Sequence, residues 1–589
     1  MTDPVTVSVI HGALETIAVE MGFKLMRMAH SSIIRESEDF GAAIIDRHGR
    51  GLAESAQSTP LQSGPLPGYV RGVLRQLQAR GEVLRPGDVV MHNDPYGGAS
   101  HGPDVGFIVP VFLDDVLVGF TATTAHHLDI GSLTPGSCGI VDAIDAYAEG
   151  LQFKAIKVFD EGRRNDAVWH ILRDNIRASD LVVGDMEAQV AAARIGAERL
   201  LDLIGRYGLT TFEAACEAAL ATTERLMRQA IAALPDGTWT AETFIDGFAD
   251  SDDPARRDLK LKATITVAGE EMLVDLTGTA PQVADRPINM PFEGTVDIAV
   301  WLTIRSILLD TAEHGHIPVN EGLTRPISIV APKGCLANPI FPAPTIARFA
   351  PGNQLADTVM KALAQVVPHQ VSAGIGNLRV MAFSGEGAEG PWVHMEIFEG
   401  SYGGRDGADG MDAVDTLYAN TRNNPVEDIE SHLPLRVRRY ELREDAMGAG
   451  RWRGGQGAVR EFELLSDAGV SVEGDGHKHR PWGFDGGADG HPATLYLQSG
   501  NTRTELPSKM PYRRVHQGDR FVCIGPCGGG YGAAWLRDPD AVRADVADGL
   551  LTRAAAAETF GVVLTQSLAV DAAATATARQ GTARERLTN

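Results

Sequence analysis

The first thirty residues set apolar side chains at Ile10, Leu14, Ile17, Met21, Leu25 and Met28, in steps of three and four. That spacing predicts one long amphipathic helix following Pro4, with its stripe turned toward a core. The period then shortens. Residues 42–45 read as an apolar strand closed by the polar turn Asp46-Arg47-His48-Gly49, and residues 67–78 as a second helix. Residues 87–91, 107–112 and 117–122 read as strands, the last two joined through Asp114-Asp115. Residues 180–234 are helical almost throughout, broken at Tyr207-Gly208 and closed by Asp236-Gly237. Leu261, Ala263, Ile265 and Val267 then alternate, Gly269-Glu270 turns, and residues 273–276 return, which predicts a hairpin. Helical spacing returns at 296–309 and 354–367, and the chain beyond Arg436 reads as strand-rich.

These changes of period predict a multidomain chain of mixed α/β (α+β) class, as 589 residues require. The expected units are an N-terminal α/β metal-binding region with a helical pair (1–235), a middle α/β domain (236–435), a β-rich, glycine-rich domain (436–553) and a C-terminal helix with a tail (554–589). The tail, a run of Ala, Thr and Arg, is expected to be poorly ordered or to lie across a partner. No fixed-period repeat or heptad is present. The 65 glycines and 31 prolines gather in the second half and predict tight turns and close backbone approaches.

Composition narrows the partners. A formal net charge of −24 argues against nucleic acid and anionic membranes, which would be repelled at long range. No basic segment followed by an apolar run opens the sequence, and no uncharged apolar stretch approaches the ~20 residues that cross a bilayer. Five sparse cysteines (Cys138, Cys216, Cys335, Cys523, Cys527) fit a reducing, cytoplasmic compartment rather than a disulfide framework. Cys523 and Cys527 lack a second Cys/His pair nearby and read as structural.

The densest polar constellation is His92-Asn93-Asp94-Pro95-Tyr96-Gly97-Gly98-Ala99-Ser100-His101-Gly102-Pro103-Asp104, followed by Ala125-His126-His127-Leu128-Asp129. Two loops at strand ends thus carry four histidines and three aspartates. Imidazole mixed with carboxylate suits Zn²⁺, Mn²⁺ or Fe²⁺ better than Ca²⁺, which prefers oxygen alone. His101 and Asp104 are three apart across a Gly-Pro turn, so both side chains can reach one centre. His126 and His127 are adjacent and, in an extended strand, point to opposite faces. A single histidine at a loop end is usually a satisfied polar group, but seven such residues in two loops joined by one hairpin favour a site. Asp39, alone, reads as a turn carboxylate. The run Gly525-Pro526-Cys527-Gly528-Gly529-Gly530-Tyr531-Gly532 lacks the Gly-Lys-Ser/Thr ending of a P-loop, and no ATP site or GxSxG elbow is found.

These residues resemble the hydantoinase B/5-oxoprolinase family. The likeness runs through His92-Asn93-Asp94-Pro95, His101-Gly102-Pro103-Asp104, Ala125-His126-His127-Leu128-Asp129-Ile130-Gly131 and Ile317-Pro318-Val319-Asn320-Glu321-Gly322. It continues through Asn420-Thr421-Arg422-Asn423-Asn424-Pro425, Gly450-Arg451-Trp452-Arg453-Gly454-Gly455, Leu506-Pro507-Ser508-Lys509 and Gly528-Gly529-Gly530-Tyr531-Gly532, nearly the whole chain. Cys527 stands where the family usually has glycine, and Gly476 where a basic residue is common. The family includes subunits of N-methylhydantoinases, ATP-dependent lactamases, and acetone and acetophenone carboxylases. The resemblance implies a divalent metal held by Asp39, His101, Asp104 and His126. His127, Asp129 and Asp94 would then support the ligands or face substrate, as the catalytic groups. It implies as partner a hydantoinase A-type subunit that binds ATP with Mg²⁺, in an α2β2 assembly. The substrate would be a small cyclic amide such as a hydantoin, lactam or 5-oxoproline. The alternative is a role in a ketone carboxylase using bicarbonate; the chain length favours hydrolysis.

Overall fold

The computed structural model describes residues 3–137, 142–387, 390–417 and 419–587. Its N-terminal part is a seven-stranded antiparallel sheet between helices. The strands are β1 (Phe40–Asp46), β2 (Gly51–Glu54), β3 (Val89–His92), β4 (Asp104–Leu113), β5 (Val116–His126), β6 (Ile156–Asp160) and β7 (Arg163–Arg164). Their spatial order is β2-β1-β5-β4-β3-β6-β7. Four long helices flank them: α1 (Pro4–Met28), α2 (Leu66–Arg80), α3 (Ser179–Tyr207) and α4 (Leu209–Ala232). Ala42 and Ile44 share one apolar cluster with α1, α3 and α4, whereas Ala43 and Ile45 share another with α2. Both faces of β1 are therefore covered, and all seven of its residues are buried.

Helix α1 starts where Asp3 accepts the N–H groups of Val5 and Thr6 at 3.0 and 3.1 Å, an N-cap reinforced by Pro4. Its predicted stripe is buried from Ile10 to Leu25, while Met28, at the last turn, is exposed. Among the described residues α1 is the one helix long and apolar enough, by length and composition, to cross a membrane. Here that stripe packs on α3 and α4.

Strands β4 and β5 run further than their apolar cores predict, into Asp104, Thr123, Thr124 and His126. The polar stretch stays extended because each threonine hydroxyl finds a backbone acceptor. Thr121 donates to Ala193 O at 2.7 Å, Thr123 to Gln189 O at 3.2 Å and Thr124 to Gln62 O at 3.0 Å. The longer pairing sets Asp104 directly opposite His126.

A second sheet, in the order β11-β10-β9-β8, joins β8 (Gly237–Asp246), β9 (Asp258–Ala268), β10 (Glu271–Asp275) and β11 (Ile327–Val330) and contains the predicted hairpin. Helix α5 (Asp297–Leu308) packs on α6 (Phe349–Leu363), which lies across β8 and β9. α6 begins earlier than predicted because Pro351 falls in its first turn, where no intrahelical N–H bond is lost.

The C-terminal strands are β12 (Arg379–Gly387), β13 (Gly390–Phe398), β14 (Leu435–Leu442), β15 (Ala458–Leu464), β16 (Ala468–Glu473), β17 (Thr494–Ser499), β18 (Thr502–Glu505), β19 (Met510–Val515) and β20 (Arg520–Ile524). They form two sheets, β13-β12-β16-β19 and β14-β15-β20-β17-β18, joined by a core that includes Phe383, Phe398, Phe462, Leu495 and Phe521. On β13 the alternation splits: Phe398 faces that core, while Met395 and Ile397 belong to the core shared with the N-terminal half.

The glycine clusters interleave. Gly448 N–H donates to Gly528 O, Gly528 N–H to Gly455 O and Gly530 N–H to Ala488 O. A β-carbon on Gly454 would lie 1.9 Å from Gly528 O, so only glycine fits. Those N–H groups are engaged by backbone and unavailable to a phosphate. Cys216, Cys335, Cys523 and Cys527 are free and buried, and Cys138 lies outside the described residues. Cys527 accepts the Gly457 N–H at 3.2 Å, which accommodates a thiol where the family usually has glycine.

After α7 (Pro539–Ala547), the tail forms two helices where one was expected, α8 (Arg553–Phe560) and α9 (Ala572–Leu587). Ala556 and Phe560 of α8 pack with Met447 and Val542, and Arg579 of α9 donates to Arg537 O at 2.7 Å.

Candidate metal centre

The β4–β5 hairpin delivers Asp104 and His126 as a cross-strand pair, and the turn before β4 folds His101 back over them. Ligand atoms of His101, Asp104 and His126 lie within 4.8 Å of one another, all three residues buried. Asp104 Oδ1 is 2.9 Å from His101 Nε2 and 3.1 Å from His126 Nδ1, and those two nitrogens are 3.3 Å apart.

The surroundings fix the state of each group. Ile346 O accepts from His101 Nδ1 at 2.8 Å, which assigns the ring proton to Nδ1 and leaves the Nε2 lone pair free to coordinate. Burial, with Arg348 beside it, pushes His101 down to about 4, so the ring is neutral at pH 7, the form that ligates a metal. Burial pushes Asp104 up, but the donors around it and the Arg348 guanidinium hold it well below the ordinary carboxylate range. Arg348 Nη2 donates to Asp104 Oδ2 at 2.7 Å and Ser100 Oγ to the same atom at 2.6 Å. Gln62, in the one-turn helix Pro60–Ser63, donates to Asp104 Oδ1 at 2.8 Å and Asp39 Oδ1 at 3.0 Å. Asp39 is thereby tied to the cluster through an amide and stands outside the group of three converging residues.

A cavity of about 30 Å³ opens on this cluster, lined by Asp39, His101, His126, Arg348 and Glu473 among apolar walls. It has room for about two waters. Burial pushes the carboxyls of Asp39 and Glu473 up. Three ionised carboxylates against one guanidinium would leave a formal excess of two negative charges, which a divalent cation offsets. His126 Nε2 is buried without a hydrogen-bond partner among the described residues, the kind of atom a bound ion or water satisfies. The donor set, imidazole nitrogen with carboxylate oxygen, fits Zn²⁺, Mn²⁺ or Fe²⁺.

The other four members of the constellation are not brought to the cluster. His127 points to the opposite face of the strand, as adjacency predicts, and its Nε2 lies 2.9 Å from Gln189 Oε1 on α3. Asp129 closes its own loop, accepting the N–H groups of Gly131, Gly136 and Arg177 and the Arg177 guanidinium at 3.1 Å. Asp94 caps the turn at Tyr96, 3.1 Å from its N–H. His92 bridges Ala155 N–H and Gly97 O, and burial pushes it to about 4. Conversely Gln62, Ser100, Arg348 and Glu473 were missed. The only signal for the last two is a charged residue inside an apolar run, Ile346-Ala347-Arg348-Phe349 and Val470-Ser471-Val472-Glu473.

Fold and site together define a multidomain α/β protein with a buried imidazole–carboxylate cluster. The hydantoinase B/oxoprolinase family model matches residues 3–534, and the chain belongs to that family. It is 61% identical over 571 residues, 97% of this chain and 96% of the relative, to a protein of Pseudomonas sp. (strain NS671) named as the B-type subunit of a D-/L-hydantoinase. The crystal structure of the ATP-dependent caprolactamase from Pseudomonas jessenii matches with a TM-score of 0.88 at 28% identity, over 98% of this chain and 99% of that one. A nucleotide-free acetone carboxylase structure has the same fold, with a TM-score of 0.90 at 18% identity, over 100% of this chain and 84% of that one.

Proposed function

We propose that this chain is the B-type subunit of an ATP-dependent hydrolase of small cyclic amides. It would hold a divalent metal at His101, Asp104 and His126, with Asp39 completing the set. The observation that carries the reading is the convergence of three ligand atoms within 4.8 Å in a chain 61% identical to a hydantoinase B-type subunit. The relative's name as one subunit of a hydantoinase, and the absence of a P-loop from this sequence, support an A-type partner that binds ATP with Mg²⁺. An α2β2 assembly is the arrangement we infer.

A bound divalent ion supplies Lewis-acid polarisation of a carbonyl and a water activated near neutral pH. The chain's own residues prepare that site. Ile346 O orients His101, Arg348 keeps Asp104 ionised, and Gln62 spaces Asp39 from Asp104. Leu61, Phe349, Val380, Met395 and Ile397 wall the cavity and keep bulk water out, which strengthens every charge interaction inside. His127, Asp129 and Asp94 act in this reading as positioning groups for the hairpin and its loops. Glu473 lines the cavity, accepts the Ala350 N–H at 3.0 Å, and is the group we place to hold or release a proton there.

The test is purification with and without an A-type partner, assaying ring opening of hydantoins and lactams with ATP. Ring opening should need both chains, and ATP-dependent turnover by this chain alone would overturn the division of labour. Bicarbonate carbon in the product would assign the complex to carboxylation instead. Metal content should fall in His101→Ala and Asp104→Ala; unchanged content in both refutes the ligand set.

A further inference from the structure

The carbonyl that orients His101 belongs to a strap, residues 342–348, fastened along its length. Ala146 N–H donates to Pro342 O at 2.8 Å, Tyr96 OH to Ala343 O at 2.6 Å and Asn289 Nδ2 to Pro344 O at 2.8 Å. Ala347 N–H donates to Pro287 O at 2.8 Å, and Arg348 ends the strap on Asp104. The middle is held by one side chain. Glu149 Oε1 accepts both the Thr345 N–H, at 2.5 Å, and the Ile346 N–H, at 2.6 Å, while Oε2 is 3.4 Å from Thr345 Oγ1.

Glu149 is 5% exposed and has no ion-paired cation among the described residues. A buried carboxylate with no counter-charge is expensive, and burial accordingly pushes Glu149 up to about 8. An alanine or leucine would fill the same space without that cost. What the carboxyl group provides, and a hydrocarbon side chain cannot, is one oxygen placed to take two successive N–H groups. Ile346 O lies in the next peptide unit, one residue beyond the grip, where it meets His101 Nδ1 at 2.8 Å while the Ala347 N–H of the same unit is held by Pro287 O.

We propose that Glu149 is a positioning residue for the metal ligand His101, pinning the Thr345–Ile346 backbone so that Nε2 faces Asp104 and His126. The inference rests on the metal reading above. It predicts that loss of Glu149 leaves the ligand atoms in the chain but frees the His101 ring to rotate and to change tautomer.

The experiment is Mn²⁺ binding to the metal-free full chain, by chelator competition and electron paramagnetic resonance. Glu149→Ala should weaken binding about 10–100-fold, the usual effect of losing a residue that orients a ligand. Glu149→Gln, which keeps one oxygen for both N–H groups, should stay within about threefold of wild type. Tyr96→Phe, which unfastens the strap at Ala343 only, should lower the melting temperature without changing Mn²⁺ affinity. Long-range ¹H–¹⁵N spectra of histidine-labelled protein should show His101 as the Nδ1–H tautomer in wild type and a mixture in Glu149→Ala. If Glu149→Ala does not fold, Glu149→Asp withdraws the carboxylate by one methylene and should shift affinity in the same direction. Wild-type affinity in whichever of these two variants folds overturns the proposal. Equal Mn²⁺ binding by wild type and His101→Ala instead overturns the metal reading beneath it.

Discussion

Arg348 and a metal would compete for the same carboxylate, and that competition has a measurable sign. Arg348 Nη2 lies 2.7 Å from Asp104 Oδ2, with side chains 2% and 0% exposed. Replacing Arg348 with Met keeps the apolar stem but leaves Asp104 as a buried carboxylate without its cation. Removing one partner of such a pair costs about 3–5 kcal/mol. With a divalent ion beside Asp104 the carboxylate is compensated again, and the loss should shrink to about 1–2 kcal/mol of hydrogen bonding and packing. The difference, about 2–3 kcal/mol, must appear as metal binding roughly 30- to 150-fold tighter in Arg348→Met than in wild type. Unfolding entropy of about 2.1 cal/mol/K per residue gives about 1.2 kcal/mol/K for the whole chain. The metal-free variant should therefore melt about 2.5–4 °C below wild type and the loaded variant about 1–2 °C below. Paired calorimetric melts with and without saturating Mn²⁺ read both values. Equal losses in the two states, or weaker binding by the variant, would refute the charge balance drawn for the site.

Three further outcomes follow from other parts of the fold. Burial pushes Glu399 from 4.5 up to about 8, with Arg460 4.0 Å away too distant to reverse it. The folded state thus holds the proton more tightly than the unfolded chain. Its stabilising contribution is fully present below pH 4.5 and is lost as pH rises toward 8, the loss reaching about 3 kcal/mol by pH 7. Glu399→Gln should raise the urea midpoint relative to wild type progressively from pH 5 to pH 9, and a pH-independent difference would contradict this. A β-carbon on Gly72 would stand 1.7 Å from Gly97 O, so Gly72→Ala should destabilise by about 3 kcal/mol in thermal melts. Burial pushes the Cys216 thiol up to about 12, and Cys335, Cys523 and Cys527 are buried too. In a Cys138→Ser variant a thiol reagent should label nothing in the native protein and all four cysteines in guanidinium.

Much of the fold was legible because its elements are driven by burial on one face. The α1 stripe, the break at Tyr207-Gly208 and the hairpin at Gly269-Glu270 lie where periodicity predicts. Strand ends were not legible at Asp104 and His126, because hydroxyl-to-backbone bonds, not apolar alternation, keep that stretch extended. The three converging residues were readable since they lie on one hairpin and its preceding turn. His127, Asp129, Asp94 and His92 share the same two loops but lie apart from the cluster, because a loop that folds tightly beside a site needs polar groups to satisfy its own backbone. Gln62, Arg348, Glu473 and Glu149 were illegible for the opposite reason. Each reaches the site through tertiary contact alone, and local spacing carries no trace of a partner so far along the chain.

The strap gives the site a place in time. His101 takes its carbonyl partner from 245 residues further along the chain, and Asp104 its arginine from 244 further along. During synthesis at about 5–20 residues per second, the hairpin emerges roughly 12–50 seconds before the segment that orients it. A nascent chain therefore carries His101, Asp104 and His126 for that interval without the carbonyl and the guanidinium that later fix them. Under the metal reading proposed above, durable loading would wait until the strap has closed, and a retained ion would mark a chain whose two halves have met.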